Sequence, residues 1–457
     1  MAIDDRADVV LGAAPDQRTD GAHDARTDGA HHASIERAHD ARTDGAHDAR
    51  TEGAHDARTE GAHDALTDGA LGAAAVELTA ELVGIDSVNS GLVPGASGET
   101  AIVAHLRNRL RSNGFTTHVV TAAGHDDRPS LVAISPSTTP GPTVVLTGHL
   151  DTVGVDGMSD PFTPTVEADR LSGRGASDMK GGLAAMVVAA EELSRRGTPG
   201  RVVLALVADE EDASLGAEAV LAALPRLGVR PDVAVVGEPT WLATTESLRG
   251  YALVEVVLTG RAAHSSQPEL GVNAVAHLGR LLVALEQRDA ELGAGGASLM
   301  ATVASGGDST FVLARSARVL VERRTVPGER SDAAVTEVEQ LLADLRASDD
   351  TVDGAARLLI AREPWRLDAH GPAASLSAAL ETALGATAAE QPVPQRFHAP
   401  YWMEAPLWQA AGIPALVCGP AGGGLHAADE WVDLEQVRRY AVALTTAVAS
   451  WAAEHAH

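Results

Sequence analysis

The most informative stretch of the chain is residues 143–151, TVVLTGHLD. Its first five residues predict a strand buried on both faces of a sheet. Similar apolar strands are predicted at 202–208 and 233–236, and helices are predicted at 182–196 and 215–224. Buried strands that alternate with helices indicate a parallel sheet covered by helices on both faces.

The flanking sequence extends this α/β pattern in both directions. Further elements are predicted as helices 74–83, 99–113, 375–384 and 434–452, and as strands 117–121, 130–134 and 413–418.

Residues 251–361 follow a different order. They predict strands 251–258, 298–304, 317–325 and 357–361, with helices 273–288 and 332–346 between them. The order β-α-β-β-α-β is that of the ferredoxin-like unit. We therefore predict a discontinuous α/β domain (71–248 and 362–457) with an inserted α+β lid domain (249–361).

Residues 1–70 carry an octapeptide repeat, with clean copies of Thr-Asp/Glu-Gly-Ala-His-Asp-Ala-Arg starting at Thr43 and Thr51. Their apolar residues are mostly alanine, so this segment cannot bury enough surface to offset chain entropy. We predict a disordered, low-complexity tail. The alternative is a tail that scavenges metal ions through its histidines.

Composition excludes several classes of protein. The net charge of −28 disfavours nucleic-acid binding. No apolar run approaches ~18 residues, which argues against a membrane span. The start of the chain lacks the features of a secretory signal, and Cys418 is the only cysteine, which excludes an intramolecular disulfide framework and a four-cysteine zinc site. We expect a cytoplasmic protein without membrane or nucleic-acid partners.

Polar side chains follow the predicted strands at the points where sites form in open α/β sheets. They are His149 and Asp151 after the first strand, Glu210 and Glu211 after the second, Glu238 after the third, His426 beyond strand 413–418, and Asp178 before helix 182–196. Two histidines and several carboxylates converging on one sheet edge suit a divalent ion, of which zinc fits best.

The motifs that contain these residues resemble those of one family. They are Gly148–Val153, Gly173–Gly182, Asp209-Glu210-Glu211 with Gly216-Ala217, Gly237–Thr240, and the late glycine-rich loop with His426. The family comprises di-zinc peptidases and deacylases, including acetylornithine deacetylase, succinyl-diaminopimelate desuccinylase, aminoacylase-1 and the glutamate carboxypeptidases. The resemblance covers about residues 74–450.

The resemblance implies two zinc ions per subunit, replaceable by Co²⁺ or Mn²⁺, that share Asp178 as a bridging carboxylate. One ion is also held by His149 and Glu238, and the other by Glu211 and His426. Asp151 accepts the other ring N–H of His149. Two adjacent divalent ions can acidify a water molecule to a pKa near ~7 and polarise a carbonyl, and Glu210 is then the general base.

The resemblance extends to the inserted domain. The motif with His264, followed by Asn273, resembles a lid whose histidine stabilises the oxyanion in a partner subunit and whose loop binds substrate, which implies a homodimer through the lid domain. Arg324 in Glu322–Glu329 resembles a clamp for a substrate carboxylate. The alternatives are a histidine that caps a loop and a surface arginine.

Two departures affect the substrate-facing loops. Asp308-Ser309-Thr310 stands where many relatives have asparagine, and Met403-Glu404-Ala405 stands where relatives often have Thr-Asp-Ala. Lys180, the only lysine, lies inside a matched motif without an assigned role.

We expect a hydrolase that cleaves the amide bond of N-acyl amino acids with a free carboxylate, similar to acetylornithine deacetylase. A carboxypeptidase or dipeptidase of the same family is the nearest alternative. A non-catalytic metal-binding protein is the alternative from another class.

Overall fold

The computed structural model describes residues 66–137, 139–387 and 396–456. The α-helices of this part of the chain are α1 Asp68–Val83, α2 Thr100–Ser112, α3 Gly181–Arg195, α4 Leu215–Ala223, α5 Ala274–Gly293, α6 Ala334–Ser348, α7 Pro372–Thr387, α8 Ala405–Ala410 and α9 Leu434–Glu454. Its strands are β1 Thr116–Thr121, β2 Pro129–Ile134, β3 Thr143–His149, β4 Thr165–Glu167, β5 Arg170–Ser172, β6 Arg201–Val207, β7 Val233–Val236, β8 Thr245–Leu248, β9 Gly250–Thr259, β10 Ser298–Gly306, β11 Ser316–Thr325, β12 Asp353–Arg362, β13 Trp365–Arg366, β14 Phe397–Ala399, β15 Ala415–Val417, β16 Gly422–Gly423 and β17 Trp431–Asp433.

The first helix begins earlier than the sequence pattern predicted. Thr67 caps it, because its side-chain oxygen accepts from the main-chain N–H of Ala70 at 3.3 Å. Leu71 is fully buried, and Leu66 packs against the same core. The packed part of the chain therefore starts before residue 71. The predicted disorder of the repeat segment concerns residues that lie almost wholly outside the described part.

The central sheet has the strand order β1-β2-β6-β3-β7-β15. Strands β6, β3, β7 and β15 are parallel, as the buried runs predicted, whereas β1, β2 and β6 pair antiparallel. The sheet is thus mixed, because a short turn joins β1 to β2 and such a turn permits only antiparallel pairing. Helices α1, α3, α7 and α9 pack against one another, and α2 and α4 pack against β1 and β2.

The position of helix α3 depends on a close backbone approach at Gly182. A Cβ atom at this residue would lie 2.2 Å from the main-chain oxygen of Gly237. Only glycine allows this distance. The start of α3, which follows Asp178, is thereby held next to the end of β7, which precedes Glu238.

Strands β9 to β12 form a second, fully antiparallel sheet in the order β10-β11-β9-β12. With helices α5 and α6 this is the ferredoxin-like arrangement that the element order predicted. The predicted α/β fold class is confirmed. The domain boundaries remain a prediction.

Two small sheets, β13-β8-β14 and β16-β17-β5-β4, had no counterpart among the predicted elements. Their strands are two to four residues long, too short to leave a periodic pattern. None of the helices in the described residues combines the length and apolar character needed to cross a membrane.

Candidate metal centre and active site

Three neighbouring parallel strands, β6, β3 and β7, end at one edge of the central sheet, as carboxyl ends of parallel strands must. Strand β3 ends in His149, which is buried. The Nε2 atom of His149 lies 2.9 Å from Oδ1 of Asp178 and 3.9 Å from Oε1 of Glu238. Three predicted site residues from different loops therefore meet at one point.

His426 approaches the same aspartate from the other side. Its Nε2 atom lies 3.4 Å from Oδ2 of Asp178 and 3.1 Å from Oε2 of Glu211. Each carboxylate oxygen of Asp178 thus faces a different histidine. This is the arrangement expected of a carboxylate that bridges two ions.

The donor atoms fit divalent cations. Ligand atoms of His149, Glu210 and Glu238 lie within 4.8 Å of one another, and so do those of His149, Asp178 and Glu211. Oε1 of Glu211 is buried and has no hydrogen-bond partner among the described residues. Imidazole and carboxylate donors suit zinc and related ions. By distance alone, Glu210 is as close to the cluster as the predicted ligands are.

The electrostatics of the cluster point to the same need for a cation. Burial, reinforced by the charge of Glu238, raises the pKa of Glu210 well above its usual range. Burial and the nearby Asp178 do the same for the pKa of Glu238. Hydrogen bonds to Asp178 and Glu211 raise the pKa of His426 to about 10. Crowded carboxylates here must share protons or bind cations.

Asp151 acts differently from the expectation. The Nδ1–H of His149 donates to the main-chain oxygen of Asp151 at 2.9 Å, while the carboxylate oxygen Oδ1 is 3.7 Å away. A carbonyl oxygen can only accept, so this contact places the ring proton on Nδ1 and leaves Nε2 free. The expected side-chain contact is replaced by a main-chain one.

The Asp151 carboxylate instead holds the loop after β6. It accepts from the main-chain N–H groups of Glu210 at 3.1 Å and Glu211 at 3.2 Å, and from Nδ2 of Asn89 at 2.7 Å. Asp151 thus positions the two glutamates.

A buried charge network supports this loop from behind, and sequence reasoning missed it. The Arg128 guanidinium lies 2.9 Å from Asp209 and 2.6 Å from Glu99, and all three side chains are nearly inaccessible. Glu99 and Arg128 look like ordinary surface charges in the sequence. The only signal was the position of Asp209 at a strand end.

Glu430 was also missed, and it fixes the loop of Asp178. Its Oε1 accepts from the main-chain N–H groups of Ser177 and Asp178 at 3.0 Å each, and its Oε2 accepts from Gly175 N at 2.9 Å and Arg174 at 2.7 Å. Glu430 therefore ties the segment after His426 to the segment of Asp178. Its nearness to His426 in sequence was the only available signal.

Lys180 has a structural contact. Its ammonium group donates to the main-chain oxygen of Ile85 at 2.7 Å, and burial lowers its pKa to about 7. The bond links the start of α3 to the end of α1.

The lid residues His264, Asn273 and Arg324 are not among those that line the cavity at the cluster. His264 is exposed, and its Nδ1 lies 2.8 Å from Oγ of Ser266. Asn273 caps α5 by accepting from Val275 N at 3.1 Å. Arg324 lies over the ring of Tyr251 at 5.3 Å and pairs with Glu322. Their predicted roles need a partner subunit or a substrate.

The cavity at the cluster has a volume of about 350 Å³ and is lined by two kinds of residues. The polar lining residues are Asp178, Glu210, Glu211, Glu238 and His426. The mainly apolar lining residues are Pro239, Trp241, Tyr401, Trp402, Met403 and Leu425. Glu404, which follows Met403 in the chain, is buried, and burial raises its pKa to about 8.

Comparison with known proteins agrees with the predicted resemblance. The peptidase family M20/M25/M40 matches residues 145–450, a span that contains both histidines and all the carboxylates of the cluster. An acetylornithine deacetylase from Proteus mirabilis is 28% identical over 375 residues, which cover 79% of this chain and 92% of that protein. A succinyl-diaminopimelate desuccinylase from Zymomonas mobilis is 32% identical over 219 residues, which cover 46% of this chain and 56% of that protein.

Among solved structures, a tripeptidase from Staphylococcus aureus has the same fold. Its TM-score is 0.69 at 19% identity, and the match covers 84% of this chain and 99% of the tripeptidase.

Proposed function

We propose that this chain cleaves the amide bond of N-acyl amino acids with a free carboxylate. The premise is that it belongs to the peptidase family M20/M25/M40 and is a metal-dependent hydrolase. The observation that carries the metal-dependent chemistry is that the two carboxylate oxygens of Asp178 face His149 and His426, one each. The similarity to an acetylornithine deacetylase over 92% of that protein's length favours deacylation as the reaction.

Two zinc ions per subunit are proposed, with Co²⁺ or Mn²⁺ as substitutes. Asp178 contributes to both sites, together with His149 and Glu238 at one and Glu211 and His426 at the other. Bound there, the ions supply Lewis acidity at the substrate carbonyl and acidify a water molecule.

Glu210 is proposed as the general base. Its carboxylate takes a proton from the attacking water and passes it to the nitrogen of the leaving amine. The hydrogen bond from its main-chain N–H to Asp151 fixes the position from which its side chain reaches the cavity. Burial, reinforced by the charge of Glu238, raises the pKa of Glu210, so its carboxylate holds a proton more readily than an exposed glutamate does.

The lid residues are proposed to act across a homodimer. His264 of one subunit donates to the oxyanion in its partner, Asn273 contributes to the same loop surface, and Arg324 binds the substrate carboxylate. Strand β10 is an outer strand of its sheet and exposes Met300 and Val303, which supports pairing through this domain. A cytoplasmic location remains a prediction.

The test uses the full chain after removal of divalent ions with a chelator. Zinc, cobalt or manganese is then added back, and hydrolysis is measured on N-acetyl, N-succinyl and N-formyl amino acids and on dipeptides. Activity should return at about two ions per chain, and Asp178→Ala should abolish both ion binding at this stoichiometry and hydrolysis. Full activity of the chelated protein or of Asp178→Ala would contradict the metal assignment. Cleavage of dipeptides alone would make the enzyme a peptidase.

A further inference from the structure

The cavity beside the candidate metal centre gathers residues that are rare in this chain. Aromatic residues make up 3% of the sequence, yet Trp241, Tyr401 and Trp402 all line this one cavity. Met403 and Leu425 extend the same surface. We call these five residues the aromatic wall.

The polar atoms of the three aromatic side chains are already engaged. Trp241 Nε1 donates to the main-chain oxygen of Gly422 at 3.1 Å. Tyr401 OH donates to Pro239 O at 3.2 Å, and Trp402 Nε1 donates to Glu363 O at 3.3 Å. Each side chain has one N–H or O–H group, and main-chain oxygens take all three. The ring surface that the aromatic wall offers the cavity is therefore mainly apolar. Most of it belongs to Trp241, which is 43% exposed, because Trp402 is only 9% exposed.

The wall is held in place before any ligand arrives. Trp241 and Leu242 both have positive φ angles, 52° and 64°, a backbone conformation that residues other than glycine seldom adopt and that is concentrated at functional sites. Trp402 packs edge to face on Tyr251, with ring centroids 5.9 Å apart. Trp241 nevertheless keeps 43% of its surface exposed. A large apolar ring fixed in this way is suited to covering a ligand group.

The charges of the cavity do not favour a basic side chain. Its acidic lining residues are Asp178, Glu210, Glu211 and Glu238, all of which the proposed function assigns to metal binding or proton transfer. Glu404 does not line the cavity. An ammonium group on the substrate would therefore find no free carboxylate on the described part of the aromatic wall.

We propose that the aromatic wall binds an apolar group, aromatic or branched aliphatic, that flanks the scissile amide of the substrate. This inference rests on the proposed amide hydrolysis and makes its substrate more specific. The side chain of acetylornithine is basic, so the proposed group differs from it in chemistry. The apolar group can belong to the amino acid or to the acyl chain, and both chemistries fit the same surface.

Two substrate series distinguish these sources on the zinc-loaded full chain. One series varies the amino acid: N-acetyl derivatives of glycine, alanine, leucine, phenylalanine and ornithine. The other varies the acyl group on glycine: formyl, acetyl, hexanoyl and benzoyl. We expect kcat/KM to rise about 10- to 100-fold along one series, as burial of a leucine- or phenylalanine-sized group allows. The series with the larger increase in kcat/KM shows whether the apolar group belongs to the amino acid or to the acyl chain.

Aromatic rings can also attract a cation, so the ornithine substrate is the critical comparison. If N-acetylornithine equals or exceeds N-acetylphenylalanine and the acyl series is flat, the proposal is overturned.

A variant series tests the wall itself. Trp241→Ala should lower kcat/KM for the substrates with an apolar group more than it lowers kcat/KM for N-acetylglycine, so that most of the gain from the apolar group is lost. Trp241→Phe should retain most of the gain. Val119→Ala, at a residue equally exposed (43%) on the outer strand β1, is the matched control and should change nothing.

The outcomes separate this inference from the proposed function. If the wild type binds two ions but hydrolyses no amide in either series, the proposed function fails. If the wild type hydrolyses N-acetylglycine as fast as every larger substrate, only the apolar-group inference fails. The same holds if Trp241→Ala lowers kcat/KM by the same factor for all substrates.

Discussion

The loops that carry the proposed metal ligands and the lid residues proposed to meet the substrate are held in opposite ways. Asp151 and Glu430, both buried, bind main-chain N–H groups of the loops of Glu211 and Asp178. The His264 side chain is exposed and hydrogen-bonds to its neighbour Ser266, and Asn273 is used as a helix cap. The candidate metal cluster is therefore organised within one chain, whereas the roles proposed for the lid residues require a substrate or a partner subunit.

The difference indicates where the chain tolerates change. A carboxylate that accepts several main-chain hydrogen bonds fixes a loop to within a narrow range, as a metal site requires. An exposed histidine adds little to the stability of the isolated chain, and in the proposed function His264 acts only after assembly or closure. Variants in the first region should alter metal binding without a partner. Variants in the second should act only through one.

Among the variants that keep the proposed metal ligands, the largest effect should come from Glu210→Gln. The amide keeps the size of the side chain and its loop contacts but cannot take a proton, so kcat/KM should fall by about 10²–10⁴-fold while two ions remain bound. The measurement pairs hydrolysis of an N-acetyl amino acid with metal content per chain.

Glu167→Gln, on the exposed strand β4, is the control and should match the wild type. If Glu210→Gln instead loses metal while Glu211→Gln keeps it, the roles of the two glutamates are reversed. The distances alone allow that exchange, because Glu210 lies within the ligand cluster.

Features that follow from a local sequence pattern could be predicted, and features that depend on residues far apart in the chain could not. Strands β3, β6 and β7 are apolar runs, with His149 as the last residue of β3 and with Glu211 and Glu238 shortly after β6 and β7, so both the sheet and the cluster follow from local pattern. Glu430 and Arg128 act through partners 29 to 256 residues away in the chain, and no local pattern encodes such pairs.

The role of Asp151 was misjudged for a related reason. The sequence offered a carboxylate two residues from a histidine, and the backbone then brought its carbonyl, not its carboxylate, to the ring. The sequence pattern did not predict the aromatic wall, because Trp241 and Trp402 are 161 residues apart and neither lies in a periodic element.

A smaller effect is expected from Glu430→Gln. The amide can still accept through its oxygen, but its NH₂ group faces main-chain donors where an oxygen now accepts, so the Asp178 loop loses two of its hydrogen bonds. Metal affinity, measured by competition with a chelator, should fall about 10- to 100-fold, as for other residues that orient ligands.

Glu435→Gln is the matched control, since Glu435 is half exposed and pairs with Arg438. Arg174→Gln separates positioning from general stability. It removes the buried charge partner but leaves the three main-chain hydrogen bonds of Glu430, so it should lower the melting temperature more than it lowers metal affinity. Unchanged metal affinity in Glu430→Gln would show that Glu430 does not position Asp178 for metal binding.

The lid side of the comparison is tested by mixing two inactive variants, His264→Ala and Glu210→Gln. In a mixed dimer with two-fold symmetry, one site receives an intact Glu210 and the partner's His264. Random exchange at equal amounts makes half of the dimers mixed, each with one working site, so activity should rise to about a quarter of the wild-type value. No recovery after verified subunit exchange would place His264 outside the partner's site.

The smallest effects concern the start of the chain, where the repeats precede helix α1 in the sequence. Deletion of residues 1–64 should leave the melting temperature, activity and two-ion stoichiometry unchanged, because the repeats contain few apolar residues that could pack.

Deletion of residues 1–70 should lower the melting temperature. It removes Leu66, whose N–H donates to buried Glu192 at 3.1 Å, and Thr67, which caps α1. A lost cap costs about 1 kcal/mol, and the half-buried Leu66 about as much again. For a domain of more than 250 residues, a total of about 2 kcal/mol corresponds to a fall of about 2–4 °C. Thr67→Ala within the shorter deletion isolates the cap and should give about half of this shift. A drop already present in the shorter deletion would mean that the repeats stabilise the folded chain, and a fall in its bound metal would mean that their histidines hold ions.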